Sequence, residues 1–300
     1  MRPYLLFVSG IAGVAGISMS KTEITPDWKC WTAFILFFLG YGFGQALTDC
    51  FQTDTDKLSA PYRPLSKGII SSRSVMAVSV TGLLFSGIIF YWLNPVSFWL
   101  SLLAIFGLAT YSYIKKHFWF GGPFHNAWIV ALLPVMGYYT NLPAGENKFN
   151  YQITPYLIVT FLSYTNFVLI GYLKDIEADR ATQYKTFPVV FSWNATILTG
   201  NVVALITLIV FWLQAGNNIG ELLFGIAGSI IITAGQIAGL RARDKNEKDA
   251  LFPIVSTLRS FILLHIAIVL HFQPGWWIYA LIFYLLFEWA LLNRPSTYQV

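Results

Sequence analysis

The sequence predicts an all-α protein, a polytopic transmembrane helical bundle of about nine or ten helices around a central cavity, and three observations carry that prediction. Of 300 residues, 56% are hydrophobic and only 11% charged, against roughly 25% charged in a soluble domain. Apolar runs of spanning length, about 17 to 25 residues, recur from one end of the chain to the other. The charges gather in the short connections between those runs, as they do when loops must leave the hydrocarbon.

Ten apolar segments follow in order: 3–19, 28–51, 74–94, 96–114, 121–142, 153–174, 188–214, 220–241, 252–272 and 275–293. No soluble domain or low-complexity segment interrupts them, so residues 1–300 are expected to form a single transmembrane domain. The first segment carries one cation before its apolar run, as a signal peptide does, but it is long enough to span and is read as the first helix. Its Gly10, Gly13 and Gly16 suit close helix packing. The tightest joints, Asn94-Pro95 and Gln273-Pro-Gly275, fit either turns or kinks. Cys30 and Cys50 sit at opposite ends of the second segment, roughly 30 Å apart at 1.5 Å per residue, too far to bond to each other.

Charge sets the expected orientation. With a cytoplasmic N-terminus, fifteen lysines and arginines fall on the cytoplasmic side and three, Lys21, Lys29 and Lys148, on the other, with Arg259 left inside a span. That positive-inside bias places both termini and the charged motifs on the cytoplasmic face of a multi-pass protein. The net charge of +5 is therefore an orientation signal. A nucleic-acid partner is not expected, because no basic stripe interleaved with aromatics is present. Trp28, Trp31, Tyr91, Trp92, Trp276, Trp277 and Tyr279 cluster near segment ends, as interfacial anchors do.

Two charged stretches have no packing rationale. The first runs from Thr48 to Gly68, the second from Lys174 to Thr186. If the second helix continues through the first stretch, Gln45, Asp49, Gln52 and Asp56 share one face and Asp54 points elsewhere. In the second, Asp175 and Asp179 share a face and Glu177 turns away. Carboxylates at these spacings without matching histidines or cysteines suit a hard cation such as Mg²⁺, which shares its coordination with substrate phosphates. Arg63, held between Pro61 and Pro64, and Lys67, Lys174, Arg180 and Lys185 stand close enough in sequence to take up a diphosphate.

These residues resemble the signatures of the UbiA superfamily of intramembrane prenyltransferases. The first stretch, with Pro61-Tyr-Arg-Pro-Leu-Ser-Lys-Gly68, is similar to that family's first Asp-rich motif; Tyr111-Ser-Tyr-Ile-Lys115 is similar to its Y-x-x-x-K motif. Asp175-Ile-Glu-Ala-Asp179 with Arg180, Thr186 and Pro188-Val-Val-Phe resembles the second Asp-rich motif, nearest the chlorophyll-synthase-like branch. Thr48 stands where the family has Asn, and Gln52 where it has the middle Asp. The family commonly has nine spans.

The resemblance implies Mg²⁺-dependent transfer of a prenyl group from an allylic prenyl diphosphate to a hydrophobic or aromatic acceptor, a quinone precursor for example, within the lipid bilayer. It implies Asp49, Gln52, Asp56, Asp175 and Asp179 as metal ligands, with Tyr111 beside the four aspartates in the reacting pocket. Arg63, Lys67, Lys115, Lys174, Arg180 and Lys185 are implied for the diphosphate, and Gln45, Thr48, Gln52, Asp54 and Asn166 for the cavity wall. A cyclase of the same fold, acting without acceptor, is the alternative; a transporter would instead place its charges at the midplane. Arg259 is either functional or a snorkelling cation. His117, His125, His265 and His271 lack metal-ligand spacing and are expected to be structural.

Overall fold

The structure, a computed structural model, describes residues 2–21, 23–142 and 148–294. After a 3₁₀ turn at Pro3–Leu5 come α1 (Leu6–Ser18), α2 (Trp28–Cys50), α3 (Thr53–Ser59), α4 (Ser72–Leu93), α5 (Pro95–His117), α6 (Gly121–Thr140) and α7 (Thr154–Gly171). A second 3₁₀ turn, Tyr172–Asp175, leads into α8 (Ile176–Ala181), followed by α9 (Phe187–Val190), α10 (Trp193–Gln214), α11 (Ile219–Arg241), α12 (Glu247–Phe272) and α13 (Trp277–Leu292). Among the described residues, eight helical segments are long and apolar enough to cross a membrane. The two remaining long helices, α1 and α6, pack on each other within the bundle. The protein is a multi-pass integral membrane protein.

Both doubtful joints are turns. Asn94 breaks the chain with extended backbone and caps α5, its side chain accepting from the Val96 amide at 2.8 Å, while Pro95 supplies a helix-compatible φ at the first position. Gln273 donates through its amide to the Ser18 and Lys21 carbonyls and accepts from the Ile24 amide, so one side chain ties the α12–α13 turn to the α1–α2 loop. The segment expected over 188–214 is not continuous. It breaks at Ser192, whose φ of 138° is incompatible with a helix, and whose hydroxyl then caps α10 by accepting from Ala195.

The glycines of α1 face their neighbours as their spacing suggests. A Cβ on Gly13 would collide with the Phe37 ring, and one on Gly16 with the backbone of Pro134 in α6. The close approach of α1 to α2 and α6 therefore depends on the missing side chains. Central to the bundle is α12, with 94% of its apolar window buried although it is flanked by charge; α1, α7, α11 and α13 pack around it. The outer surface is apolar, with Trp28, Trp92 and Leu213 exposed, as a lipid-facing wall requires. Cys30 and Cys50 are free and buried.

Arg259 has a partner that the sequence reading did not weigh. Its guanidinium meets Glu288 of α13 in a two-pronged contact at 2.8 and 2.7 Å, and the Tyr284 hydroxyl donates to the same carboxylate at 2.9 Å. Arg259 is thus a paired cation outside the cavity lining. It fastens α13 to α12 through a pair in which each charge satisfies the other, the condition for tolerating charge inside a span. Of the histidines, His125 meets Thr110 and the Gly107 carbonyl, and His265 meets Thr160.

Candidate active site

A cavity opens among α2, α4, α5, α6 and α7 at the end of the bundle that carries α3 and α8. Its lower wall is apolar, formed by Leu36, Phe37, Phe90, Leu133 and Met136. Its mouth is lined by Asp49, Asp56, Asp175, Arg2, Arg63, Lys115 and Lys174. From Asp49 to Leu36, α2 lines it over about 20 Å at 1.5 Å per residue.

The first charged stretch is not one continuous helix. α2 ends at Cys50, Gln52 takes φ −120° and ψ 21°, and α3 restarts at Thr53. Gln45, Thr48, Asp49, Gln52 and Asp56 reach the cavity all the same. The break turns Gln52 towards α5, where its amide donates to Ser112 at 3.1 Å and its carbonyl accepts from Lys115 at 3.2 Å. Its metal-ligand role is therefore corrected: the carbonyl that would bind a cation is engaged by an ammonium. Thr48 directs its hydroxyl back to the Gln45 carbonyl.

Arg63 bridges the two remaining acids, at 2.5 Å from Asp56 and 3.5 Å from Asp49. Burial, and then the Asp49 carboxylate, push the Asp56 carboxyl up to about 7, while the positive charges of Arg2 and Lys115 pull the other way. Two acids that crowd each other and are bridged by a cation form a pocket for positive charge. With Asp175 on the facing wall and the Gln45 carbonyl oxygen buried without a hydrogen-bond partner, the donor set is all oxygen. Among the described residues, no three His, Cys, Asp or Glu side chains converge to chelate a metal alone. That combination fits Mg²⁺, which is typically held by one or two carboxylates and completed by water and substrate phosphates.

The second stretch is built differently. The 3₁₀ turn ends at Asp175 before α8 begins, so the expected shared face of Asp175 and Asp179 is lost. Asp175 lines the cavity, whereas Asp179 is fully buried behind the lining. There it is contacted by Lys115 at 3.4 Å, Thr55 at 3.3 Å and Thr186 at 3.1 Å. With three donors of this chain on it and no place in the cavity lining, Asp179 is corrected from metal ligand to holder of Lys115. Tyr172 and Tyr184 place their rings 5.1 and 5.0 Å from the same ammonium, so Lys115 is fixed on several sides.

Tyr111 lines the cavity as expected, its hydroxyl 2.9 Å from that of Tyr172. Other residues lie elsewhere. Asp54 is exposed outside the cavity; desolvation works against its charge, but bonds from Lys116, the Thr55 amide and Tyr184 hold its carboxyl below the ordinary range. It latches α3 to α5 and to the loop after α8. Lys67, Arg180 and Lys185 are exposed and absent from the lining, because each projects from the outer side of its loop or short helix. Asn166 turns away, accepting from Gln236 of α11 at 3.3 Å, and Asn126 of α6 lines the cavity in its place. Unforeseen wall residues include Arg2, Tyr41 and Tyr164. Their types carried no pattern; only the helical phase of Tyr41, four residues before Gln45, pointed inward.

An apolar chamber with a charged mouth, set in a membrane bundle, defines the class of an intramembrane enzyme acting on a lipophilic anionic substrate. The chain belongs to the UbiA prenyltransferase family, whose sequence profile matches residues 9–262, and it is a prenyltransferase. α13 lies beyond the matched residues. Among curated relatives, digeranylgeranylglyceryl phosphate synthase of Thermococcus kodakarensis is 26% identical over 247 residues, covering 81% of this chain and 86% of the relative. Chloroplastic chlorophyll synthase of Arabidopsis thaliana is 28% identical over 167 residues, covering 50% of this chain and 40% of the relative. A UbiA homologue from Aeropyrum pernix K1 superposes with a TM-score of 0.71 at 15% identity, covering 87% of this chain and 96% of the other. A homologue from Archaeoglobus fulgidus bound to DMAPP and Mg²⁺ superposes with a TM-score of 0.63 at 18% identity, covering 88% and 96%. These structural likenesses show the shared fold.

Proposed function

We propose that the protein transfers a prenyl group from an allylic prenyl diphosphate to a hydrophobic acceptor at the charged mouth of this cavity, with Mg²⁺ as cofactor. The observation that carries the reading is the meeting of Asp49, Asp56, Asp175, Arg63, Lys115 and Lys174 at one end of an otherwise apolar chamber. Such a site can grip a diphosphate while an isoprenoid tail lies in the chamber below. The Archaeoglobus fulgidus homologue's DMAPP and Mg²⁺ support donor and metal class. The names of the Thermococcus and Arabidopsis relatives support a lipophilic acceptor.

In this reading Asp49 and Asp56, with Asp175 opposite, would hold Mg²⁺, which when bound would supply positive charge to offset that of the departing diphosphate. Arg63, released from the two carboxylates, turns its donors to the phosphate oxygens. Lys115, positioned by Asp179 and Gln52, adds a fixed ammonium, and Lys174 another, where charge develops in the transition state. The C1–O bond of the donor breaks with its electron pair passing to diphosphate. Tyr111, Tyr172, Tyr41 and Tyr164 present aromatic faces that stabilise the allylic cation. The acceptor's nucleophilic atom then bonds to C1 and loses its proton. The positive-inside bias of the loops supports a cytoplasmic mouth.

The test is a mass-spectrometric screen of the purified protein in lipid against donors of several lengths with lipid, quinone-precursor and aromatic acceptors. Mg²⁺-dependent diphosphate release coupled to a prenylated product is expected. Absence of release with every donor overturns the reading, and a cyclic hydrocarbon formed without acceptor replaces it with cyclisation.

A further inference from the structure

The mouth contains a cation that none of the charged motifs accounts for. Arg2 precedes the first turn of the bundle, at a position where a basic residue needs no explanation beyond orientation in the membrane. An orienting arginine would extend its head to water or lipid phosphates. This one instead lines the reaction cavity beside Tyr41, Asp49 and Asp56. Its Nε is buried and has no hydrogen-bond partner, although Asp49, Asp56 and Tyr41 lie within its electrostatic reach. The two carboxylates are already bridged by Arg63, and Lys115 is committed to Asp179 and Gln52. A buried guanidinium donor without an acceptor, facing a chamber, lacks an incoming oxyanion. Its planar fork suits the paired oxygens of a phosphate better than a point charge would.

We propose that Arg2 is a specificity-determining residue that recognises a phosphate-type oxyanion entering the cavity with a substrate. The inference deepens the prenyl-transfer reading and rests on it. Two sources share this chemistry: the diphosphate head of the donor, and a phosphate monoester carried by the acceptor. Arg2 belongs to the entry segment of α1, and the Arg63 and Lys174 contacts of the mouth come from other elements. The anion would therefore tie the start of the bundle to the loop after α3 and to the 3₁₀ turn after α7 on arrival.

The experiment uses the full chain in lipid nanodiscs and titrates two probes, inorganic pyrophosphate with Mg²⁺ and a short-chain alkyl phosphate, into wild type, Arg2→Gln and Arg2→Lys. Arg2→Gln is expected to weaken one probe at least tenfold, with Arg2→Lys recovering part of the loss. Loss in the pyrophosphate arm assigns the donor and predicts a raised donor KM; loss in the alkyl phosphate arm assigns the acceptor and predicts a raised acceptor KM. Should Arg2→Gln fail to fold, phenylglyoxal labelling of wild-type Arg2, read by peptide mass spectrometry, is expected to slow at least threefold with the bound probe. The inference is overturned if folded Arg2→Gln binds both probes as wild type does, if neither probe protects Arg2, or if wild type binds neither. Anion binding that depends on Arg2 without any prenyl transfer would instead count against the transfer reading alone.

Discussion

The two acidic stretches carry the same residue types at similar spacing, and the structure uses them in opposite ways. Asp49 and Asp56 face open space and share a single arginine; Asp179 faces protein and is closed off by a lysine and two threonines. What separates them is the backbone beneath. Helix α2 breaks after Cys50 and re-forms with Asp56 still turned inward, whereas the 3₁₀ turn at Tyr172–Asp175 rotates Asp179 into the wall. A carboxylate that lines the cavity can meet an incoming cation, and one packed behind the lining among this chain's own donors is an anchor.

The sharpest way to break this contrast is to neutralise each acid without changing its shape. Asp49→Asn or Asp56→Asn is expected to lower kcat/KM by about 10³-fold, the scale of losing a preorganised charge-stabilising group, and to weaken Mg²⁺ binding in calorimetry. A loss under tenfold would remove the first stretch from the metal site. Asp179→Asn should leave Mg²⁺ affinity within about threefold of wild type while destabilising the fold by about 3–5 kcal/mol, because it strands the buried Lys115 ammonium. Thermal unfolding and Mg²⁺ titration of the same sample separate the two roles. If Mg²⁺ affinity collapses as it does for Asp49→Asn, Asp179 is a ligand after all.

Smaller effects sharpen the comparison. Gln52→Asp restores the charge of the family motif and, by adding a ligand charge, should tighten Mg²⁺ about tenfold; unchanged affinity would mean that Lys115 neutralises the new carboxylate. Arg259 and Glu288 provide the control, a charged pair remote from the mouth. Glu288→Gln alone should lower the unfolding temperature, whereas the paired change Arg259→Met with Glu288→Met should fall within about 1 kcal/mol of wild type, both retaining wild-type KM values. A shift in KM would make the pair part of the site.

Much of this was legible in the sequence. Hydropathy fixed the ten helical segments, because spanning length is a strong signal, and the glycines of α1 announced a close crossing. Asp49, Asp56, Arg63, Lys115, Lys174 and Tyr111 were found by motif and do line the cavity. The misplacements have separate origins. Asp179 was assigned by helical phase, and phase is lost where a helix tightens, as at the 3₁₀ turn before α8; phase turned Asp54 away, and only its place in the motif suggested the cavity, while Asn166 was chosen for lying in the helix that leads to the second motif. Asn166 kept its helix but met Gln236, a partner distant in sequence. The α13 helix was seen, but Glu288 was lost among its apolar neighbours, and with it the partner of Arg259. Arg2 looked like every other flanking cation.

Four of the cavity's tyrosines are paired hydroxyl to hydroxyl, Tyr41 with Tyr164 at 3.1 Å and Tyr111 with Tyr172 at 2.9 Å. Each phenol thereby uses its neighbour as the partner it would otherwise seek in solvent. The two pairs lie between the charged mouth and the apolar lower wall, a collar of phenols above the chamber. In the proposed transfer, which passes through a reactive carbon cation, the collar would bear on leakage: the share of donor that ends as free prenol instead of product. An enzyme with this collar intact should waste little of its donor, and its waste, more than its speed, would report the collar's loss.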